Sequence, residues 1–599
     1  FFLHKTYKEV RSLPNYIEFS KIRKDCKNMS KICYNNNINK VEIKRANDTQ
    51  NVAYLFADFF KSVYVRDSIT VNDCSPCFSS EHYLNLANVK IEYNDVLTQL
   101  KQLDQSKSGG PDNIPPVFLK NCATTLAYPL HVLFNQSLRT GHFPEKWKYS
   151  FLTPILKKGD KNEVSNYRPI CILSTIPKLF EKLILNKIIH CITPVILPNQ
   201  HGFTLGKSTL SNLLIYQNYI SEAMSEKLQV DLVYTDFSKA FDTVNHVLLL
   251  KKLHIAGHIY KWFKSYLSNR QLAVKVESFT SYKFIATSSV PQGSHLGPIL
   301  FLIFVNDVLT IFNDAQVLMF ADDMKIYKAI RNINDCQTLS NNLFKLFAWC
   351  QENYLRLNLS KCLIMRFHRI KNPIIYEYSI NDVVLTSVTE VNDLGVNFDQ
   401  KLKFINHIET TSNKALKMLG FVIRICSQFK NIQTFKNLYM SLVRSQIEYN
   451  STVWAPSYAS HSLTIERIQN KFLRFINFRM GITRECINYD YLLCQLNLLK
   501  LSERRIVYDL TCLHKIINSI IDTPELLYLI SFHIPRKSTS RTVANDALPV
   551  LAGTLPIDLE IREVLTKKAL RRGRATVHLG VELAPGGGVP PWLIENDAR

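Results

Sequence analysis

The chain has 599 residues, too many for a single hydrophobic core, so several subdomains are expected. At 46% hydrophobic and 21% charged residues it has an ordinary globular balance, which excludes a fibrous or wholly disordered protein. Lys plus Arg outnumber Asp plus Glu by 73 to 50, and the resulting charge of +23 points to a polyanionic partner, nucleic acid first.

The 14 cysteines are scattered without framework spacing, as in a reduced intracellular protein. "CSPC" at Cys74 to Cys77 has no second pair nearby and is not read as a zinc site. No apolar run is long enough to span a membrane, no signal peptide is visible, and residue 1 is Phe, so a fragment is expected.

In chain order, residues 1–100 read as a basic helical extension, with the amphipathic segment "VAYLFADFFKSVY". "SKSGGPDNIPP" (Ser106 to Pro116) is a breaker. Residues 101–399 mix short β-rich runs with helical stretches, which predicts an α+β body. "PILKKGDKNEVSNYRPICILS" offers Lys157, Lys158 and Arg168 around a loop, able to grip a triphosphate. "GFTLGKST" (Gly202 to Thr209) is one residue too short between its glycines for an NTPase phosphate loop, and Phe203 and Lys207 are expected to approach template or nucleotide instead.

"QVDLVYTDFSKAFDTVNH" predicts a strand that ends at Asp236 and then turns helical. His254 and His258 of "HIAGH" stand at helical spacing but lack the Glu and third ligand of a zinc protease. "SVPQGSHLGPILFLIFVND" places Gln292, a donor and an acceptor, and Gly293, which permits close backbone approach, before an apolar helix. "VLMFADDMKIY" predicts a hairpin with Asp322 and Asp323 at its turn. Residues 400–535 are mostly helical, and residues 536–599 read as a tail, disordered or a fused remnant.

Laid side by side, the strand and the hairpin would converge three carboxylates: Asp236, Asp322 and Asp323. Like charges repel, and divalent ions remove the conflict. Mg²⁺ binds through a few carboxylates plus substrate phosphates, and two such ions can stabilise both oxygens in phosphoryl transfer.

These segments, "NYRPICILS", "QHGFTLGKST", "YTDFSKAFDTVNH", "VPQGSHLGPILF", "FADD", "LNLSKCLIMRF" and "DLGVNFDQKL", stand in the order seen in non-LTR retrotransposon reverse transcriptases. The resemblance is to the jockey-like group and covers Gln102 to Pro535. It implies a right-hand polymerase with fingers, palm and helical thumb, flanked by a helical N-terminal extension and a C-terminal helical region. It further implies that Asp236, Asp322 and Asp323 are the catalytic metal ligands for Mg²⁺, or Mn²⁺. By the same resemblance Arg168 and Lys157 contact the triphosphate, Gln292 and Gly293 line the nucleotide and template pocket, Phe241 checks the sugar, and Lys361 protonates the leaving pyrophosphate.

The implied partners are an RNA template, a nicked DNA primer and dNTPs, with no membrane. The implied location is a ribonucleoprotein of nucleus and cytoplasm. The family's upstream endonuclease is not found in the sequence. His295, Cys171 and Cys362 depart from the usual residues without removing an essential group. Two alternatives stay open. One is an inactive relic that only binds nucleic acid. The other is an RNA-dependent RNA polymerase in which Asp242 reads a ribose 2′-OH.

Overall fold

The computed structural model describes residues 49–64, 89–157, 159–312, 314–425, 431–481, 487–530, 576–578 and 581–583. Lys158, Cys74, Cys77 and most of the predicted extension and tail lie outside them. The strands that build the two main sheets are β1 (Ser150–Leu156), β2 (Tyr167–Ile172), β3 (Gln229–Thr235), β4 (Arg270–Val276), β5 (Phe279–Thr280), β6 (Phe284–Ala286), β7 (Gln316–Phe320), β8 (Asp323–Ile330), β9 (Leu363–Phe367) and β10 (Thr386–Val388). The chain sorts into two compact units: residues 1–197, 237–307 and 349–356 form the first, and 198–236, 308–348 and 357–599 the second.

In the first unit β1 pairs antiparallel with β2 and parallel with β4, and β4 also pairs with β5 and β6. The Thr49–Val63 helix is the amphipathic segment of the extension, and its apolar stripe explains its place. Phe56, Ala57 and Phe60 are buried on the sheet against Leu152, Cys171, Val274 and Phe284. A second core is aromatic. Phe180 stacks on Phe134 at 4.4 Å and meets Trp262 edge-on at 5.5 Å. The polar tips of such rings need partners when buried: Trp262 Nε1 donates to Ser137 Oγ at 3.1 Å, and the Tyr266 hydroxyl to Glu181 at 2.8 Å.

In the second unit the strand order is β10-β9-β3-β8-β7. β3 is central, antiparallel to both β8 and β9, so its Val230, Leu232 and Val233 are all fully buried. The Thr209–Ser225 helix adds Leu213, Tyr216 and Ile220 to the same core. That core continues into the later helices through Leu419, Phe435, Tyr439, Phe472 and Ile476. Among the described residues no helix is long and apolar enough to cross a membrane.

Two local expectations change. The segment after Asp236 does not turn helical at once: the helix is His246–Lys252, capped by Asn245, whose side chain accepts from Leu248 N at 3.0 Å. Lys239, with φ of 52°, lies in the intervening turns. His254, with φ of 46°, falls outside any helix and His258 within the Gly257–Leu267 helix, so they share no helical face.

Candidate active site

The second unit assembles the carboxylates. β7 and β8 close a hairpin in which Phe320 pairs with Asp323, leaving Ala321 and Asp322 as the two turn residues. Thr235 pairs with Met324, so Asp236, one residue past the end of β3, stands beside that turn. The charges meet. The Asp323 side chain opens to solvent, yet the protein around it and then the charges of Asp322, Asp236 and Asp393 raise its carboxyl to about 6, with Lys325 opposing.

Lys361, at the end of a short Leu359–Lys361 turn, reaches Asp236: its Nζ lies 2.5 Å from Asp236 Oδ2. The segment before it is pinned by Asn358 N donating to Asp236 O at 2.8 Å. Among the described residues no three His, Cys, Asp or Glu side chains close into a metal-binding cluster. The carboxylates are neighbours but not yet a ligand shell. Carboxylate oxygens are the donor type that a hard divalent cation takes.

Two supports under the hairpin were not foreseen. Lys325, 1% exposed, pairs with Asp393 at 2.7 Å and donates to Asn212 Oδ1 at 2.5 Å, with its ammonium 4.4 Å from the Tyr216 ring. A lysine in the apolar run "MKIY" was the available signal for a buried, partnered charge. The other support is Gln200, buried against the turn.

The remaining predicted residues lie in the first unit. Arg168 is on β2 opposite Ile155, and Lys157 directly follows β1, its N donating to Asn166 O at 2.9 Å; both side chains are exposed on one hairpin. Gly293 approaches backbone rather than open space. Its φ is 122°, and a Cβ there would lie 2.6 Å from Cys171 O. Thus the close approach expected to favour a ligand is spent on Cys171, whose N donates to Gln292 O at 2.7 Å.

The Gln292 side chain donates to Asp242 Oδ1 at 3.0 Å. Phe241 is half-buried, stacked on Phe301 at 4.3 Å. Lys207, back in the second unit, turns onto its own chain and donates to Pro198 O, while Phe203 is exposed.

Asp242 is 8% exposed and held by Gln292, so burial raises its carboxyl to about 7, with Lys239 and Gln292 pulling the other way. Below about pH 4 the folded and unfolded chains both hold this proton. Between there and about 7 the unfolded chain releases it and the folded chain keeps it, so rising pH costs stability; above 7 the cost is constant. Asp242→Asn keeps the acceptor for Gln292 and removes the cost. Relative to wild type the variant should gain about 2–3 kcal/mol between pH 5 and pH 8 in denaturant titrations. A difference that does not change with pH would refute the buried, protonated state.

The second unit thus presents acids at one end of a sheet, from its central strand and the neighbouring hairpin, with a lysine paired to one of them. Residues 155–423 match the family model described as reverse transcriptase (RNA-dependent DNA polymerase). This segment is therefore similar to reverse transcriptase domains, and the relatives that the chain matches are polymerases of mobile elements. The chain is 28% identical over 404 residues to a probable RNA-directed DNA polymerase from transposon BS of Drosophila melanogaster, covering 64% of this chain and 44% of the relative. It is 26% identical over 401 residues to the corresponding X-element protein of the same fly, covering 64% and 43%. Against the RNA-directed DNA polymerase from mobile element jockey of Drosophila melanogaster the identity is 28% over 426 residues, covering 67% and 46%. The chain thus spans less than half the length of these relatives.

Proposed function

We propose that this chain is an RNA-directed DNA polymerase of a non-LTR retrotransposon. The observation that carries the reading is the meeting of Asp236, Asp322 and Asp323 at one sheet end inside a reverse transcriptase domain. In this reading residues 101–399 are fingers and palm, 400–535 the thumb and C-terminal helical region, 1–100 an extension and 536–599 a tail. Asp236, Asp322 and Asp323 would hold Mg²⁺, or Mn²⁺ in its place, which when bound would supply positive charge for phosphoryl transfer.

The primer 3′-hydroxyl oxygen forms a bond to the α-phosphorus of the dNTP and gives up its proton to solvent water, as the bond to the pyrophosphate oxygen breaks. Lys361 leaves its pairing with Asp236 and gives a proton to that departing oxygen. Arg168 and Lys157 hold the triphosphate by charge. Gln292 shapes the pocket through Asp242, and Phe241 bounds the sugar. The +23 charge supports a grip on an RNA template and a DNA primer, in a ribonucleoprotein.

Asp242 is too buried and too engaged to serve a ribose 2′-OH, which favours the DNA product over the RNA polymerase alternative. A primer-extension assay on poly(rA)/oligo(dT) tests the proposal. Extension with dTTP and Mg²⁺ is the expected result. Nucleic-acid binding without extension would make the chain a relic, and extension only with UTP would make it an RNA polymerase.

A further inference from the structure

The acidic turn is conformationally costly. Ala321 has a φ of 57°, a left-handed conformation that a residue with a Cβ rarely adopts. In a two-residue hairpin the first turn residue also points its N–H and C=O away from the ladder, so both need outside partners when buried. One side chain supplies both. Gln200 Oε1 accepts from Ala321 N at 2.9 Å, and its Nε2 donates to Ala321 O at 3.2 Å. The same Oε1 accepts from Gly202 N at 2.7 Å. Gln200 is 2% exposed.

The segment that carries Gln200 is itself fixed along β7. Met319 N donates to Asn199 O and His201 N to Met319 O, both at 2.9 Å, in a parallel bridge of Gln200 with Met319. Asn199 Nδ2 donates to Val317 O at 2.8 Å. Gly202 completes the seat, since a Cβ there would lie 2.2 Å from Ala321 N. The Gln200 amide therefore grips the Ala321 residue whose dihedral angles aim Asp322 and Asp323.

From this geometry we infer that Gln200 is a positioning residue for the carboxylate pair: it locks the strained turn so that Asp322 and Asp323 face a divalent cation in a fixed orientation. The inference rests on the proposed polymerase reading for its kinetic consequences and on the hairpin alone for its metal-binding ones. Gln200→Met keeps the volume and removes every hydrogen bond. In primer extension kcat should fall about 30- to 100-fold with KM for the dNTP nearly unchanged, the scale of a small misplacement of reacting groups. The half-saturating Mn²⁺ concentration, read by electron paramagnetic resonance without nucleic acid, should rise about tenfold, as when a residue supporting a metal ligand is lost.

Ala321→Gly in the Gln200→Met background should recover part of both losses, because Gly takes the positive φ without the clamp. A merely structural glutamine would not be rescued at Ala321. A folded Gln200→Met protein with kcat and Mn²⁺ affinity close to wild type overturns the assignment, as does the absence of rescue. If Gln200→Met does not fold, Gln200→Glu, which retains the acceptor for Ala321 N, takes its place and should show the same two losses in milder form. Failure of both variants to fold also overturns the assignment, since a positioning role leaves the core intact. Wild-type protein that binds Mn²⁺ but does not extend primers would sink the polymerase reading and leave the clamp to be judged on metal affinity.

Discussion

Asp236→Ala and Asp322→Ala should each abolish primer extension, lowering kcat by at least about 10³-fold, the order lost when a preorganised charge-stabilising group is removed. The two residues reach the site by different routes. Asp236 directly follows the central strand, and its carbonyl accepts from Asn358 N at 2.8 Å. Asp322 sits on the hairpin turn, held from outside the sheet. Loss of either leaves too few carboxylates to hold a pair of divalent ions. Asp236→Ala has a second effect, because Lys361 loses the partner now 2.5 Å away. RNA affinity should change little in both variants, since it rests on basic surface and stacking rather than on the acids. Filter binding beside single-turnover extension separates the two quantities. Wild-type extension by either variant would show that the assigned acids do not hold the metal.

The parts of this site that were legible in the sequence are the ones encoded locally. Alternating apolar residues gave β3, β7 and β8 close to their observed limits, and an Asp at each strand end marked where the pattern yields to chemistry. The helix after Asp236 was misplaced because "FSKAFD" has helical composition, while its backbone is bound elsewhere: Ser238 N donates to Arg356 O and Val290 N to Phe241 O. Tertiary hydrogen bonds there outweigh propensity.

Gln200 and Asp393 open two of the quoted segments, yet their roles were hidden for another reason. Each acts on a partner far away in sequence, Ala321 and Lys325, and a glutamine before "HGF" or an aspartate before "LGV" has no local anomaly to betray it. Gly293 was expected to let backbone approach a ligand, and only the fold says that the close neighbour is Cys171.

Phe241→Val should raise ribonucleotide incorporation about tenfold or more, measured as kcat/KM for UTP against dTTP on the same primer and template. Phe241 lies five residues after Asp236, within the turns that lead to the His246–Lys252 helix. In the proposed reading the Phe241 ring bounds the sugar of the incoming nucleotide. A loosely fitting apolar wall rejects an added hydroxyl by only about 10²-fold, so stronger rejection needs a rigid wall. The structure supplies a source of rigidity: the Phe241 ring stacks on Phe301 at 4.3 Å with an interplanar angle of 18°. Phe301 is itself fully buried in the apolar Gly297–Val305 helix. The same contact is what a purely structural aromatic would make, so the two roles differ in outcome rather than in geometry. As a sugar gate, Phe241→Val opens space for the 2′-OH and mostly spares dNTP use. As a core residue only, it costs roughly 1–4 kcal/mol of stability as a cavity against Phe301 and leaves the nucleotide ratio alone. Both effects can occur together, and the ratio is the quantity that decides. An unchanged UTP/dTTP ratio in a folded variant would remove Phe241 from sugar selection and leave it as the ring that seats the turn on Phe301.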